Sequence, residues 1–216
     1  MIATIRDSLP GLRIVVLAAG FSTRLGRPKP LAQVRGVRLL ERTCRVLEPF
    51  VGSYRLIVVG PPRAARYRTG LDGGKIDFLA NPQRESGLSS SVHVGIKRAR
   101  FSAAVLLLPV DLVDLTAADV ARLISRWRGA RRKVVARRVQ DHPATPGTPL
   151  ILPRALYGAS LAVRGDQGLR DFVRRLPAED VRLVPLPSAA LDVDTPQDLA
   201  RARRRQPHTR AFCTNR

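Results

Sequence analysis

Five short apolar runs punctuate the first two thirds of the chain, at residues 12–17, 54–59, 76–80, 103–109 and 133–136. They have the length of strands and are near-continuous in Val, Ile, Leu and Ala, not alternating with polar residues. A strand of that composition needs burial on both faces, which an all-antiparallel, half-solvated sheet does not provide. Between the runs lie segments with helical spacing of apolar residues, at 39–47, 64–69, 90–99 and 116–127. Strands alternating with helices build βαβ units, so the expected fold class is α/β: a three-layer, mostly parallel twisted sheet with helices on both faces. In such a sheet the loops that follow the strands gather along one edge. Three polar loops therefore converge there, at 20–29, 81–91 and 111–116.

The last third is less regular. Residues 140–149 read as a loop rich in Pro, Thr and Gly. Residues 155–161 and 167–176 read as helices, 181–186 as a strand, and 195–204 as a final helix capped by Thr195 with Pro196 in its first turn. No internal repeat is evident. At 216 residues the chain suits one domain, expected over 1–205, followed by a basic tail at 206–216 expected to be disordered.

The formal charge of +21, from 38 Lys and Arg against 17 Asp and Glu, raises the possibility of a nucleic-acid partner. The cations are scattered, almost all are Arg, and aromatic residues make up only 5%. The interleaving of aromatic and basic residues used to stack on bases is missing, so the reading is against nucleic acid. No apolar stretch approaches the roughly 20 residues needed to span a bilayer. The first residues lack the basic-then-apolar layout of a signal peptide, and two cysteines, Cys44 and Cys213, give no disulfide framework. A cytoplasmic location is the expectation.

The loop after the first run carries the chemistry. Leu17-Ala18-Ala19-Gly20-Phe21-Ser22-Thr23-Arg24-Leu25-Gly26-Arg27-Pro28-Lys29 places two glycines, an arginine and a lysine at the mouth of a buried strand. Small residues let backbone approach a ligand, and Gly20 and Gly26 are expected to supply φ > 0. Arg24 offers a planar fork and Lys29 a compact charge for phosphate oxygens. Five residues separate the glycines and Arg27 follows, which excludes a P-loop. The Gly-x-Gly-x-x-Gly dinucleotide fingerprint is absent too.

Other loops add acceptors and carboxylates. Asn81, with Pro82 to Ser91 behind it, can both donate to and accept from a base edge. Gly87 permits a tight backbone, and Ser89, Ser90 and Ser91 fit capping of the following helix equally well. Asp111 ends an apolar strand and so faces the crevice. Asp114 reads as a solvated or capping residue. Asp192 and Asp194 alternate onto one face of a short strand. Such a carboxylate pair is repulsive unless a cation lies between them. His93, His142 and His208 fit no zinc spacing, and Cys44 reads as core.

Together these stretches resemble the molybdenum cofactor cytidylyltransferases and related MobA-like NTP transferase domains, over roughly residues 12–205. The resemblance implies a Rossmann-like fold of the nucleotide-diphospho-sugar transferase kind and Mg²⁺-dependent transfer of a nucleotidyl group to a phosphorylated acceptor. Leu17, Ala18, Ala19, Gly20, Ser22, Arg24, Gly26, Lys29, Asn81, Gly87 and Ser91 would bind the nucleotide. Arg24, Lys29 and Asp111 would be catalytic, and Asp111 and Asp192 would hold Mg²⁺, with Asp194 left to cap or orient the last helix. Gly147-Thr148-Pro149 and Gly165-Asp166-Gln167-Gly168 are similar to the family's acceptor segments, which makes Thr148, Asp166 and Gly168 acceptor residues. Asp166 fits a helix cap equally well.

Two departures stand out: Thr148 replaces the family's usual His, and Val113 stands where a proline is expected. They keep open a different acceptor, such as a sugar phosphate. The Ala-Ala-Gly form of the loop resembles the cytidylyl enzymes, and a methyl at Ala19 crowds a purine more than a pyrimidine, so CTP is the expected nucleotide over GTP. Molybdopterin is the expected acceptor and a molybdoenzyme a conceivable recipient of the product. A non-catalytic nucleotide-binding or nucleic-acid-binding protein is the alternative of another class, against which Arg24, Lys29, Asp111 and Asp192 together argue.

Overall fold

A computed structural model of the chain describes residues 11–51, 56–63, 65–68, 76–140, 142, 144–162 and 169–205. The basic tail, and with it His208 and Cys213, lies outside these, as do Asp166 and Gly168. The chain runs through β1 (Leu12–Leu17), a β2–β3 hairpin (Gln33–Val34 and Val37–Arg38), α1 (Leu39–Val51), β4 (Leu56–Gly60), α2 (Ala65–Arg68), β5 (Ile76–Ala80), α3 (Leu88–Arg98) and β6 (Ala104–Pro109). It continues with α4 (Ala117–Arg128), β7 (Val134–Arg138), β8 (Pro146–Pro153), α5 (Tyr157–Leu161), α6 (Leu169–Arg174), β9 (Val181–Val184) and α7 (Pro196–Arg204).

Seven strands form one sheet in the order β5-β4-β1-β6-β8-β7-β9. Every adjacent pair is parallel except those made by β8, which runs against both β6 and β7. The mostly parallel, three-layer expectation therefore holds, and β8 corrects the reading of 140–149 as a loop. β1 leads outward through β4 to β5, and the chain then returns to the other side of β1 as β6. That reversal between β1 and β6 is the topological switch point where open α/β sheets bind ligands.

The continuous apolar runs are explained by two cores, one on each face. Ile14 and Val16 of β1 and Leu106 and Leu108 of β6 point to the face covered by α1 and α4, against Leu40, Leu47, Leu123 and Trp127. Val15 and Leu17, with Val105 and Leu107, point to the opposite face, against Val92 and Ile96 of α3 and Tyr157, Leu169 and Val173. Cys44 is buried in the first core, where burial, with Glu41 adding to it, pushes its thiol up to about 12. α3 packs close to the sheet at Gly95, where a Cβ would meet Val15 Cγ1 at 2.5 Å.

A third, smaller cluster positions the site. Leu25, Ala32, Val34 and Leu39 from the region after β1 pack with Val113, Leu191, Val193, Leu199 and Ala202. It ties the loop after β1 to the segment that precedes α7, over 160 residues later in the chain.

Candidate active site

The loop after β1 is held by its own backbone. Ala18 N–H donates to Val59 O at 2.8 Å, so Leu17, Ala18 and Ala19 continue the buried strand edge. A single turn of 3-10 helix follows at Thr23–Leu25, entered by Ser22 at φ 58° and left by Gly26 at φ 70°. Gly26 thus supplies the left-handed conformation expected of it. The other left-handed residue is Ser22, not Gly20, which has open space around it instead. The Ser22 hydroxyl accepts the Lys29 N–H at 2.9 Å and closes the loop.

Lys29 is the centre of the charged cluster. Its ammonium donates to Asp111 Oδ2 at 2.9 Å and to Asp194 Oδ1. Only 17% of the side chain is exposed. Burial pulls its pKa down, but the Asp111 and Asp194 carboxylates outweigh that and hold it above the ordinary lysine value. Asp194 also accepts from the Arg24 guanidinium at 3.0 Å. The role expected of Asp194, capping or orienting the last helix, falls to its neighbours. Thr195 caps α7 by accepting Asp198 N–H, while the Asp198 carboxylate accepts from Thr195 and Asp194 backbone N–H groups. Asp194 is the site residue that sequence reasoning missed. Alternation had placed it beside Asp192, and nothing local signals that Lys29 and Arg24 come to it.

Asp111 and Asp192 are brought together. Val193 N–H donates to Asp111 O at 3.0 Å, and Leu112 and Asp192 form an antiparallel bridge. The Asp192 carboxylate faces the fork of Arg137 from β7, at 3.4 Å for each of two N–O pairs. Burial raises the Asp192 pKa. Arg137 opposes this, and the Asp111 and Asp194 carboxylates add to the rise. Asp114, expected to be solvated, is instead paired with Arg205 at 3.1 Å.

The loop after β5 is built differently from expectation. Asn81 is fully buried. Its amide donates to Ser90 Oγ at 2.8 Å and Ser91 Oγ at 2.9 Å, and its carbonyl oxygen accepts Gln83 N–H at 3.0 Å. Both amide hydrogens are committed inward, so Asn81 and Ser91 brace the loop in this structure and do not present a base-reading edge. The serines lie within α3, and Gly87, not a serine, is its N-cap, at φ 87°. Thr148 lies on β8 next to Gly147, which pairs with Arg137. This puts Thr148 in the strand beside the Asp192 partner.

Among the described residues no three His, Cys, Asp or Glu side chains form a ready-made metal cage. Mg²⁺ needs less than that, since it is commonly bound by one or two carboxylates plus substrate phosphates. Asp111 and Asp192 fit such a site: they are adjacent, and their mutual repulsion is what a cation relieves.

Residues 14–181, well over half of the chain, match the MobA-like NTP transferase domain. A Rhodopirellula baltica protein named "Probable molybdenum cofactor guanylyltransferase" is 29% identical over 194 residues, covering 88% of this chain and 90% of its own. A Thermococcus kodakarensis "Bifunctional IPC transferase and DIPP synthase" is 25% identical over 89% of this chain, which spans only 50% of that protein. Among solved structures, Rv0371c of Mycobacterium tuberculosis superposes with a TM-score of 0.71 at 28% identity, covering 89% of this chain and 98% of that one. Its manganese complex superposes at 0.67, with 27% identity over 88% of this chain and 97% of that one. No helix among the described residues is long and apolar enough to cross a membrane. The chain belongs to the MobA-like NTP transferase family.

Proposed function

We propose that this nucleotidyltransferase moves CMP from CTP to a phosphorylated acceptor, molybdopterin, and releases pyrophosphate. The observation that carries the reading is Lys29, held between Asp111 and Asp194 beside an open, glycine-bearing loop at the switch point. An acceptor phosphate oxygen attacks the α-phosphorus, the bond to the bridging oxygen of the β-phosphate breaks, and pyrophosphate departs. No covalent protein intermediate is needed, so rate enhancement comes from positioning and charge. The backbone from Gly20 to Gly26 and Arg24 receive the triphosphate. Lys29 faces the charge that develops at the α-phosphate. Gly87 keeps the loop after β5 close to the nucleoside. Thr148, with Asp166 and Gly168, borders the acceptor.

Asp111 and Asp192 are the residues to hold a divalent cation, Mg²⁺ by expectation, and the manganese complex of the mycobacterial relative is consistent with a divalent site. When bound, that ion neutralises triphosphate charge. The Ala18-Ala19-Gly20 form of the loop resembles that of the cytidylyl enzymes, which supports CTP. A second reading, GMP from GTP, is favoured by the name of the Rhodopirellula baltica relative. A cytoplasmic location and delivery of the product to a molybdoenzyme complete the proposal. Pyrophosphate release, measured with CTP and with GTP against molybdopterin and against a sugar phosphate, tests it. Turnover of CTP with molybdopterin supports it, and a clear preference for GTP, or for the sugar phosphate, refutes the finer assignment.

A further inference from the structure

The segment that carries Asp111 also lines a cavity that the nucleotide chemistry does not use. Val110, Leu112 and Leu115 enclose about 220 Å³ together with Val46 of α1 and two arginines, Arg42 and Arg45. Arg42 is half-buried. Its guanidinium donates to Val113 O at 3.2 Å, and its Nε is buried without a hydrogen-bond partner. The acids nearby are committed elsewhere: Glu41 accepts from Arg45, and Asp114 pairs with Arg205 at 3.1 Å. Burial pulls the Arg42 pKa down, Arg35 and Arg45 add to the fall, and Asp114 offsets only part of it. Arg42 is thus a partly desolvated cation held against a neutral carbonyl and crowded by other cations. That arrangement is costly, and an anion relieves it.

We propose that this cavity binds a small organic carboxylate, its charged end on Arg42 and its hydrocarbon part against Leu112 and Leu115, and that occupancy acts on the active site through the Asp111 segment. The two terminal nitrogens of a guanidinium form a fork that matches a carboxylate, and Nη2 keeps a second hydrogen after its bond to Val113 O. The apolar lining argues against a bare inorganic anion, which loses its water there with little to replace it. Pockets for drug-sized ligands run to about 300–1,000 Å³, so a smaller molecule fits. The path to the active site is short. Val110 and Leu112 flank Asp111, and Leu112 is bridged to Asp192. A ligand resting on Leu112 and held by Arg42 therefore braces the segment that brings the two carboxylates together. The binding stands on the cavity alone; the effect on activity rests on the nucleotidyltransferase reading.

Calorimetric titration with hexanoate, hexanol and inorganic phosphate tests this on the wild type and on three variants: Arg42→Met, Arg42→Lys, and Val46→Phe, which fills the cavity and keeps the arginine. Thermal melts establish that each variant is folded, and steady-state pyrophosphate release runs in parallel. Hexanoate is expected to bind the wild type with a Kd of about 1 mM or tighter. Hexanol, which lacks the charge, is expected to bind at least about tenfold more weakly, and phosphate is expected not to displace hexanoate. Arg42→Met and Val46→Phe are expected to lose hexanoate affinity by at least about the same tenfold, and Arg42→Lys, which keeps the charge but not the fork, to recover only part of it. Saturating hexanoate is expected to raise kcat/KM for pyrophosphate release about fivefold or more in the wild type and to leave Arg42→Met and Val46→Phe unresponsive. The proposal is overturned if the wild type does not bind hexanoate, if it binds hexanol as tightly, or if either folded variant, Arg42→Met or Val46→Phe, binds hexanoate like the wild type. Binding that leaves an active wild type's turnover unchanged overturns the action on the active site. A wild type that binds hexanoate as expected yet releases no pyrophosphate with or without it defeats the transferase reading and leaves the carboxylate site standing.

Discussion

Replacing Lys29 by Met isolates the charge at the centre of the site while keeping most of the side chain's length. Two ion pairs are lost, to Asp111 and to Asp194, with side-chain exposures of 17%, 18% and 33% for the three groups. An exposed pair is worth about 0–1 kcal/mol, and stripping one partner from a fully buried pair costs about 3–5 kcal/mol. A lysine that is mostly but not fully buried falls between, so the expected loss is about 2 kcal/mol. For a chain of this length that lowers Tm by about 4–8 °C. The pH dependence has a definite sign. The folded pKa of Lys29 is raised, so its contribution is fully present below the unfolded value of about 10.5 and is lost as pH climbs through the higher folded value. The gap in Tm between wild type and Lys29→Met is therefore flat from about pH 7 to 10 and closes in stronger alkali. In turnover, removing a cation aimed at developing phosphate charge should cost about 10²–10³ in kcat. Calorimetric melts across pH, together with pyrophosphate release, measure both. A variant that melts with the wild type at neutral pH, or a gap that persists undiminished above the folded pKa, would refute the charge argument. Wild-type kcat would refute the catalytic one.

Three further outcomes are expected. Asn81→Ala removes three hydrogen bonds from a fully buried position and should lower urea-unfolding stability by about 2–3 kcal/mol; a loss under 1 kcal/mol would contradict its bracing role. Gly95→Ala gains about 1 kcal/mol of helix propensity but drives a methyl into Val15, an overpacking cost of about 1–3 kcal/mol, so the net change is destabilising; a rise in Tm would show that α3 shifts freely off β1. Mn²⁺ binding, followed by the electron paramagnetic resonance of the free ion, should be about tenfold tighter or more with CTP present than without it, because substrate phosphates complete such sites; equal affinity would count against a shared metal.

The parts of the fold that local pattern controls are visible in the sequence. β1 and β6 are legible because both faces are buried, which leaves apolar runs interrupted only by Arg13 near the start of β1. Thr116 and Thr195 are legible as caps because each is followed three residues later by Asp119 and Asp198, whose side chains complete capping boxes. β8 is not legible, since Pro146, Gly147 and Pro149 read as loop residues. They are tolerated because pairing with β6 runs only from Leu150 to Pro153, and the Pro146–Gly147 end pairs with β7 alone, past a register shift at Ala136/Arg137. Lacking a β6 neighbour there, that end of the strand loses little by lacking N–H donors. The β2–β3 hairpin rests on a two-residue turn at Arg35 and Gly36, both at positive φ. The turn is a matching signal, but strands of two residues carry no periodicity to announce them. Asp194 was hidden for another reason. Its partners are 165 and 170 positions away, and only the packing of Leu25 with Val193 and Leu199 brings them to it.

That same packing explains how a chain with 38 cationic and 17 acidic residues handles three carboxylates in one place. Each is matched by a cation of the chain's own: Asp111 by Lys29, Asp194 by Lys29 and Arg24, Asp192 by Arg137. Arg24 is the most exposed of these cations, at 72%, and it lies on the loop proposed to receive the triphosphate. Phosphate oxygens that draw Arg24 and Lys29 toward themselves take positive charge away from Asp194 and Asp111. The carboxylates, with Asp192 already raised in pKa by burial and to a lesser degree by Asp111 and Asp194, would then repel one another more strongly, which a divalent cation would relieve. Conversely, a cation held by Asp111 and Asp192, the proposed metal residues, would free Lys29 to turn toward the phosphate. Each ligand would thereby improve the site for the other, and thermodynamic reciprocity requires the two enhancements to be equal. If ligands exchange these ion pairs as proposed, Arg24, the most exposed cation, would be the first to move and Arg137, buried and shared with Ala189 O, the last.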